Sequence, residues 1–206
     1  RLPHVGEAIA RVSPARAGAA AHVLLPGPLG KFGTGLPTGQ ERLSCETATD
    51  EVKSAFATMS AREMETYGET AVGRHCLTAR RLVERGTRFV TVNMFQAAMG
   101  VTWDAHGACP FTDLRTSCEH VASVFDRAFS SLLRDLDARG LLQTTLVIAA
   151  GEFGRSPRVN RWGGRDHWPH AFTALLAGGG VRGGQAYGAT DEFGGHVKDL
   201  PVSPAD

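Results

Sequence analysis

The sequence predicts an α/β fold with a mainly parallel sheet and helices on both of its faces. Three observations carry this. Short apolar runs of strand length recur at 21–25, 88–93, 145–150 and 172–177. Helical periodicity fills 70–85 and 113–139 between them. Strands and helices that alternate along a chain are the signature of a parallel sheet, because each parallel return needs a crossover. The stretch 144–170, TTLVIAAGEFGRSPRVNRWGGRDHWPH, organises the rest.

In chain order, residues 1–43 are rich in Pro and Gly and read as an irregular lead-in. It contains one strand-like run, Ala21-His22-Val23-Leu24-Leu25, and then the surface-loop tract PGPLGKFGTGLPTGQ. The α/β core is expected over 49–206, within a single domain 1–206. A short helix is predicted from Thr49 to Met59, capped by Thr47 or Thr49. A stronger one spans 70–85, with Val72, Cys76, Ala79, Leu82 and Val83 on one side and Gly86 as its stop. The β-branched run 88–93 follows as a strand, giving half of a βαβ unit. After an irregular stretch, 94–112, a long helix is expected over 113–139, since Val121, Val124, Phe125, Ala128, Leu132, Leu133 and Leu136 keep the i, i+3, i+4 spacing. Residues 145–150 then read as a buried parallel strand, and 172–177 as a further strand ended by Gly178-Gly179-Gly180.

A chain of 206 residues can bury roughly 70% of its unfolded surface. The net charge of +1, with no basic run or basic-aromatic interleaving, argues against a nucleic-acid partner. No apolar stretch approaches the roughly 20 residues that span a bilayer, and Arg1-Leu2-Pro3-His4 does not open a signal peptide. Of the four cysteines, Cys45, Cys76, Cys109 and Cys118, none forms a C-x-x-C pair. Cys76 falls on the buried side of its helix, and Cys109 and Cys118 are a candidate pair in an oxidising compartment.

Three clusters could carry chemistry: Asp104 with His106, Glu152 with Arg155, and Asp166 with His167 and His170. On a parallel sheet the C-terminal strand ends converge, so clusters scattered in sequence could meet at one edge. Carboxylates with imidazoles suit a divalent ion that polarises an ester oxygen or acidifies water. A neighbouring arginine suits a phosphate or sulfate oxygen. Taken singly, each cluster also has a structural reading. Asp104 could cap a turn, His106 could bond a backbone carbonyl, Glu152 and Arg155 could be an ion pair, and Asp166-His167 could orient a loop. His4, His22, His75, His120 and His196 are read as structural or surface residues. The absence of H-E-x-x-H, G-x-S-x-G and G-x-x-x-x-G-K-[ST] argues against zincin, serine-hydrolase and P-loop chemistry. The glycines at 178–180 and 183–184 lack dinucleotide-site spacing.

The segments RHCLTARRLVERGTRFVTVN, TWDAHG, LVIAAGEFGRSPRVN, GGRDHWP and LLAGGGVRGGQAYGATDEFGGHVKDLPVSP resemble, in that order, a bacterial family of sulfatase-like proteins. It is the domain-of-unknown-function family 1501, within the alkaline-phosphatase superfamily. The likeness runs from about 50 to 206, and VLLPGPLGKFGTGLPTGQ shares it. The resemblance implies an alkaline-phosphatase-like three-layer α/β/α sandwich, of which this chain would be an incomplete, C-terminal portion. It implies a divalent metal (Zn, Ca, Mg or Mn) and a small anionic ester substrate, such as a sulfated or phosphorylated sugar. It also implies an extracytoplasmic setting. By the same resemblance Asp104, His106, Asp166 and His167 would be metal ligands, with Glu152, Arg155 and Arg165 catalytic. Three departures stand out. The superfamily's Asp-His-Gly turn is here Glu152-Phe153-Gly154, the C-x-P-x-R sulfatase motif is absent, and a piece of the family pattern is missing after Gln40. The nucleophile of active relatives lies on N-terminal elements and is expected outside this chain.

The expected function is therefore metal-dependent hydrolysis of phosphate or sulfate esters. The rival from another class is a catalytically inactive binding or scaffold protein on the same fold, and a third reading is a metal-dependent transferase or isomerase.

Overall fold

The computed structural model describes residues 19, 22–25, 50–94, 96–98 and 101–203. The chain divides into two compact units, one of residues up to Gly100 with Ser123–Leu136, the other of Val101–Ala122 with the chain from Asp137 onward.

In the first unit, strand β1 (His22–Leu25) pairs in parallel with β2 (Phe89–Val92), His22 opposite Phe89 and Leu25 opposite Val92. Parallel neighbours need a crossover, and the helices between them include α1 (Asp50–Ala57), α2 (Ala61–Tyr67) and α3 (Ala71–Arg85). Thr70 caps α3 by accepting from the Gly73 N–H, and Gly86 ends it at a φ of 104°, a left-handed conformation that glycine adopts without a Cβ penalty. Four of the five residues expected on the apolar side of α3 are buried, Val72, Cys76, Ala79 and Leu82 being at most 7% exposed, and Val83 is half-buried. Ala79 and Leu82 join Val23, Leu25 and Ala55 in one core, against which Val90 and Val92 pack.

Helix α2 is absent from the sequence-based expectation, although its start is written there. Ser60 and Glu63 form a capping box: the Ser60 hydroxyl accepts the Glu63 N–H, and the Glu63 carboxylate accepts the Ser60 N–H at 2.9 Å. Arg80, 3% exposed on α3, donates to Asp135 at 2.8 Å, to Glu84 at 2.6 Å and to Glu63 at 3.3 Å. The Tyr67 hydroxyl meets the same Asp135 carboxylate at 2.9 Å.

The helix expected over 113–139 forms as one unbroken helical run from Leu114 to Ala138, with α4 (Leu114–Ser117) and α5 (Ser123–Ala138) joined by a wider π-helical stretch at Cys118–Ala122. In α5, Ala128, Leu132 and Leu136 are buried, as the spacing predicts.

In the second unit, β5 (Val147–Ala150) pairs antiparallel with β8 (Ala174–Ala177), and β6 (Gly154–Arg155) pairs antiparallel with β7 (His167–Trp168). A last hairpin joins β9 (Ala189–Thr190) and β10 (Val197–Asp199). The short strand β4 (Val101–Thr102) precedes α4, while β3 (Gln96–Ala98) belongs to the first unit.

Two expectations are corrected here. The 145–150 run is neither parallel nor buried: Leu146 is 48% and Ile148 60% exposed. A mainly parallel sheet with helices on both faces does not form among the described residues, where β1–β2 is parallel and the pairs of the second unit are antiparallel. The reason is local. No helix lies between β5 and β8, so the chain returns through a β-ribbon and enters β8 in the opposite sense. Cys109 and Cys118, the candidate disulfide pair, are both free thiols. The loop tract 26–40 and the cap at Thr47 or Thr49 lie outside the described residues.

Candidate metal centre

The β6–β7 ribbon sets the geometry. Arg155 stands opposite His167 in its register, and residues directly opposite in an antiparallel pair share a face. On that face lies the turn that follows β4. One ligand atom each from Asp104, His106 and His167 lie within 4.8 Å of one another. His106 Nδ1 is 2.5 Å from Asp104 Oδ1. The His106 and His167 rings are 4.7 Å apart, and Phe153 packs against His167 at 4.3 Å. Asp104 and His106 are about four-fifths buried, whereas His167 is exposed.

Arg155 is the fourth member. Its Nη2 donates to Asp104 Oδ1 at 3.0 Å, and its Nη1 lies 3.4 and 3.3 Å from the two ring nitrogens of His106. It also reaches two backbone carbonyls, Arg165 at 3.4 Å and Trp103 at 3.5 Å.

The 104–107 turn is held by backbone packed on backbone. A Cβ on Gly164 would collide with the His106 carbonyl, and one on Gly107 with the Trp162 carbonyl. Gly107 also has a φ of 79°, so glycine is required there twice over. The Arg165 N–H donates to the Ala105 carbonyl at 2.8 Å.

Asn160 closes the arrangement. Its side-chain N–H groups reach the His106 carbonyl at 3.0 Å and Asp166 Oδ1 at 3.1 Å. Its side-chain oxygen accepts from the Trp162 and Gly164 N–H groups, both at 3.0 Å. Sequence reasoning passes over Asn160, because an asparagine in a polar loop has no spacing signature. Behind the turn, Asp113 caps α4. The Thr116 N–H and hydroxyl, both 2.9 Å away, hold its carboxylate below the usual range.

The structure thus joins members of all three predicted clusters: Asp104 and His106, Arg155, and His167. Asp166 and Glu152 fall outside the Asp104–His106–His167 group. The Asp166 carboxylate is turned to Asn160, and its backbone exchanges bonds with Ser156. Glu152 is exposed at the foot of the ribbon. Arg165 presents a buried Nε that has no hydrogen-bond partner among the described residues. His170 lies elsewhere, beside Trp168. The meeting place is an antiparallel ribbon and a glycine-backed turn, not the C-terminal edge of a parallel sheet.

One carboxylate and two imidazoles are the donor types that three-ligand zinc sites use, and these three residues form the group among the described residues that could hold an ion. A family model described as a protein of unknown function, DUF1501, matches residues 39–206. No curated protein and no solved structure matches the chain.

Proposed function

The chain belongs to the DUF1501 family, and from that premise we propose that it is a sulfatase-like, metal-dependent hydrolase of phosphate or sulfate esters. The observation that carries the proposal is the convergence of Asp104, His106 and His167, with Arg155 bonded into the same group. Those three residues would hold the ion, which when bound polarises an ester oxygen or acidifies water. Arg155 offers a planar fork that matches the oxygens of a phosphate or sulfate. Arg165, with its unsatisfied Nε, is the second candidate for the anionic group. Glu152, exposed at the foot of the ribbon, is the candidate acid or base toward a substrate approaching from solvent. The alkaline-phosphatase-like sandwich belongs to this reading.

The contact of Arg155 with both Asp104 and His106 also favours a second reading. A guanidinium can neutralise the carboxylate that an ion would otherwise need, which suits a binding or scaffold protein that has lost catalysis.

Metal content by mass spectrometry, before and after chelation, separates the two. Near-stoichiometric Zn, Mn, Ca or Mg that is lost in Asp104→Ala and His167→Ala, followed by turnover of a phosphate or sulfate ester, supports the hydrolase. A protein that stays metal-free after soaking rejects it in favour of the scaffold.

A further inference from the structure

Alternate side chains of a strand face opposite ways, so Trp168 points away from the face that carries His167. There it meets two more histidines. The Trp168 ring lies 4.9 Å from His170 and 5.9 Å from His196, and the two imidazoles are 4.8 Å apart.

The pair is held in place. Trp168 Nε1 donates to the Gly195 carbonyl at 2.6 Å, which ties the 191–196 turn to the end of β7. Inside that turn, Asp191 Oδ1 accepts the Gly195 N–H at 2.7 Å and the Phe193 N–H at 3.2 Å, and its Oδ2 accepts the His196 N–H at 3.0 Å. The Gly195 N–H foremost, with those of His196 and Phe193, holds the Asp191 carboxyl below its usual range. The Asp191 carboxylate is thereby committed to the backbone, and the imidazoles remain the outward donors.

We propose that His170 and His196 form a second, open metal site on the reverse of the ribbon, distinct from the Asp104–His106–His167 cluster. Two imidazoles that share an ion at about 2.0–2.1 Å per nitrogen bring their ring centres to about 5 Å when the nitrogens subtend an angle between square and tetrahedral, and the observed 4.8 Å falls there. An all-imidazole donor pair selects a borderline transition ion, Ni²⁺, Cu²⁺ or Zn²⁺, over Mg²⁺ or Ca²⁺. Both rings are exposed, so water completes the coordination and the ion exchanges freely. Its effect is to bind the 191–196 turn to the outgoing end of β7. The site does not depend on the hydrolase reading.

Ni²⁺ titration of an Asp104→Ala/His167→Ala variant isolates the site, with Trp103→Phe and Trp162→Phe leaving Trp168 as the remaining tryptophan of the three. Saturable quenching of Trp168 fluorescence is expected, and adding His170→Ala and His196→Ala raises its midpoint at least about tenfold. A midpoint unchanged by those two substitutions overturns the proposal. His170→Ala alone, which leaves the Asp191-held turn intact, is expected to raise the midpoint by the same order, and an unchanged midpoint there also overturns it. Mg²⁺ is expected to give no quenching and no competition. Mg²⁺ displacement of Ni²⁺ at comparable concentration contradicts the imidazole assignment.

Discussion

Asp104 Oδ1 is shared: His106 Nδ1 approaches it at 2.5 Å from one side and Arg155 Nη2 donates to it at 3.0 Å from another. A cation is therefore already built into the group that a metal ion would occupy, and Arg155 must either move toward a substrate or remain a permanent counter-charge.

Substituting Arg155 distinguishes these outcomes. In Arg155→Met the carboxylate loses its competitor, so divalent-metal affinity is expected to hold or rise. Ester turnover should fall about 10²-fold, the scale on which a preorganised charge acts on a transition state. Parallel metal titration and initial-rate measurements check this. Loss of metal binding in Arg155→Met would falsify the competitor role.

Gly164→Ala tests the backbone packing behind the site. The added methyl has no room against the His106 carbonyl, so the 104–107 turn must shift and metal binding is expected to drop at least tenfold. The first unit, which contains neither segment, should keep its far-ultraviolet helical signal. Metal affinity equal to that of the unsubstituted protein would show that the turn is not held as described.

Arg80 is the buried charge of the first unit, with three carboxylates around it. Removing one partner of a buried ion pair costs about 3–5 kcal/mol. Glu84, Glu63 and Asp135 are 42%, 31% and 23% exposed and can rehydrate, which places Arg80→Met at the lower end, about 3 kcal/mol. The shift in the urea midpoint at constant slope measures it.

Glu63 sets an acid-side limit on stability. Burial pushes its carboxyl up, but the Ser60 N–H, Arg81 and the Ser60 hydroxyl outweigh that and bring it from 4.5 to about 2. A carboxyl depressed in the folded state stabilises the fold above its unfolded pKa, and that contribution is lost as pH falls through the folded value. Stability should therefore decline between about pH 4.5 and 2, and Glu63→Gln should flatten that part of the profile while lowering stability at pH 7. A decline of equal slope in both proteins would assign it to other carboxylates.

Much of the first unit can be read along the chain. The α3 helix with its Thr70 cap and Gly86 stop, the strand after it and the strand at 22–25 all follow from period and punctuation. Helix α2 was legible too, through Ser60 and Glu63, but its seven residues are too few for periodicity to stand out. The sense of β5 was not legible, since an apolar run of four to eight residues reads the same in either direction and on either face. The lack of helical spacing between 151 and 172 was the available signal for an antiparallel return.

The sequence by itself determined which residues are chemically able to form a site: two imidazoles, a carboxylate and an arginine, in glycine-rich turns that let loops approach closely. Tertiary structure alone decided which of them meet. Asp104 and His167 are far apart in sequence, and no local rule relates them. The ribbon register that sets Arg155 against His167, and the Asn160 and Gly164 contacts that fix the 104–107 turn, select His167 over its neighbour Asp166. One residue along a strand reverses the face, so a single step of register decides which side chain joins Asp104 and His106.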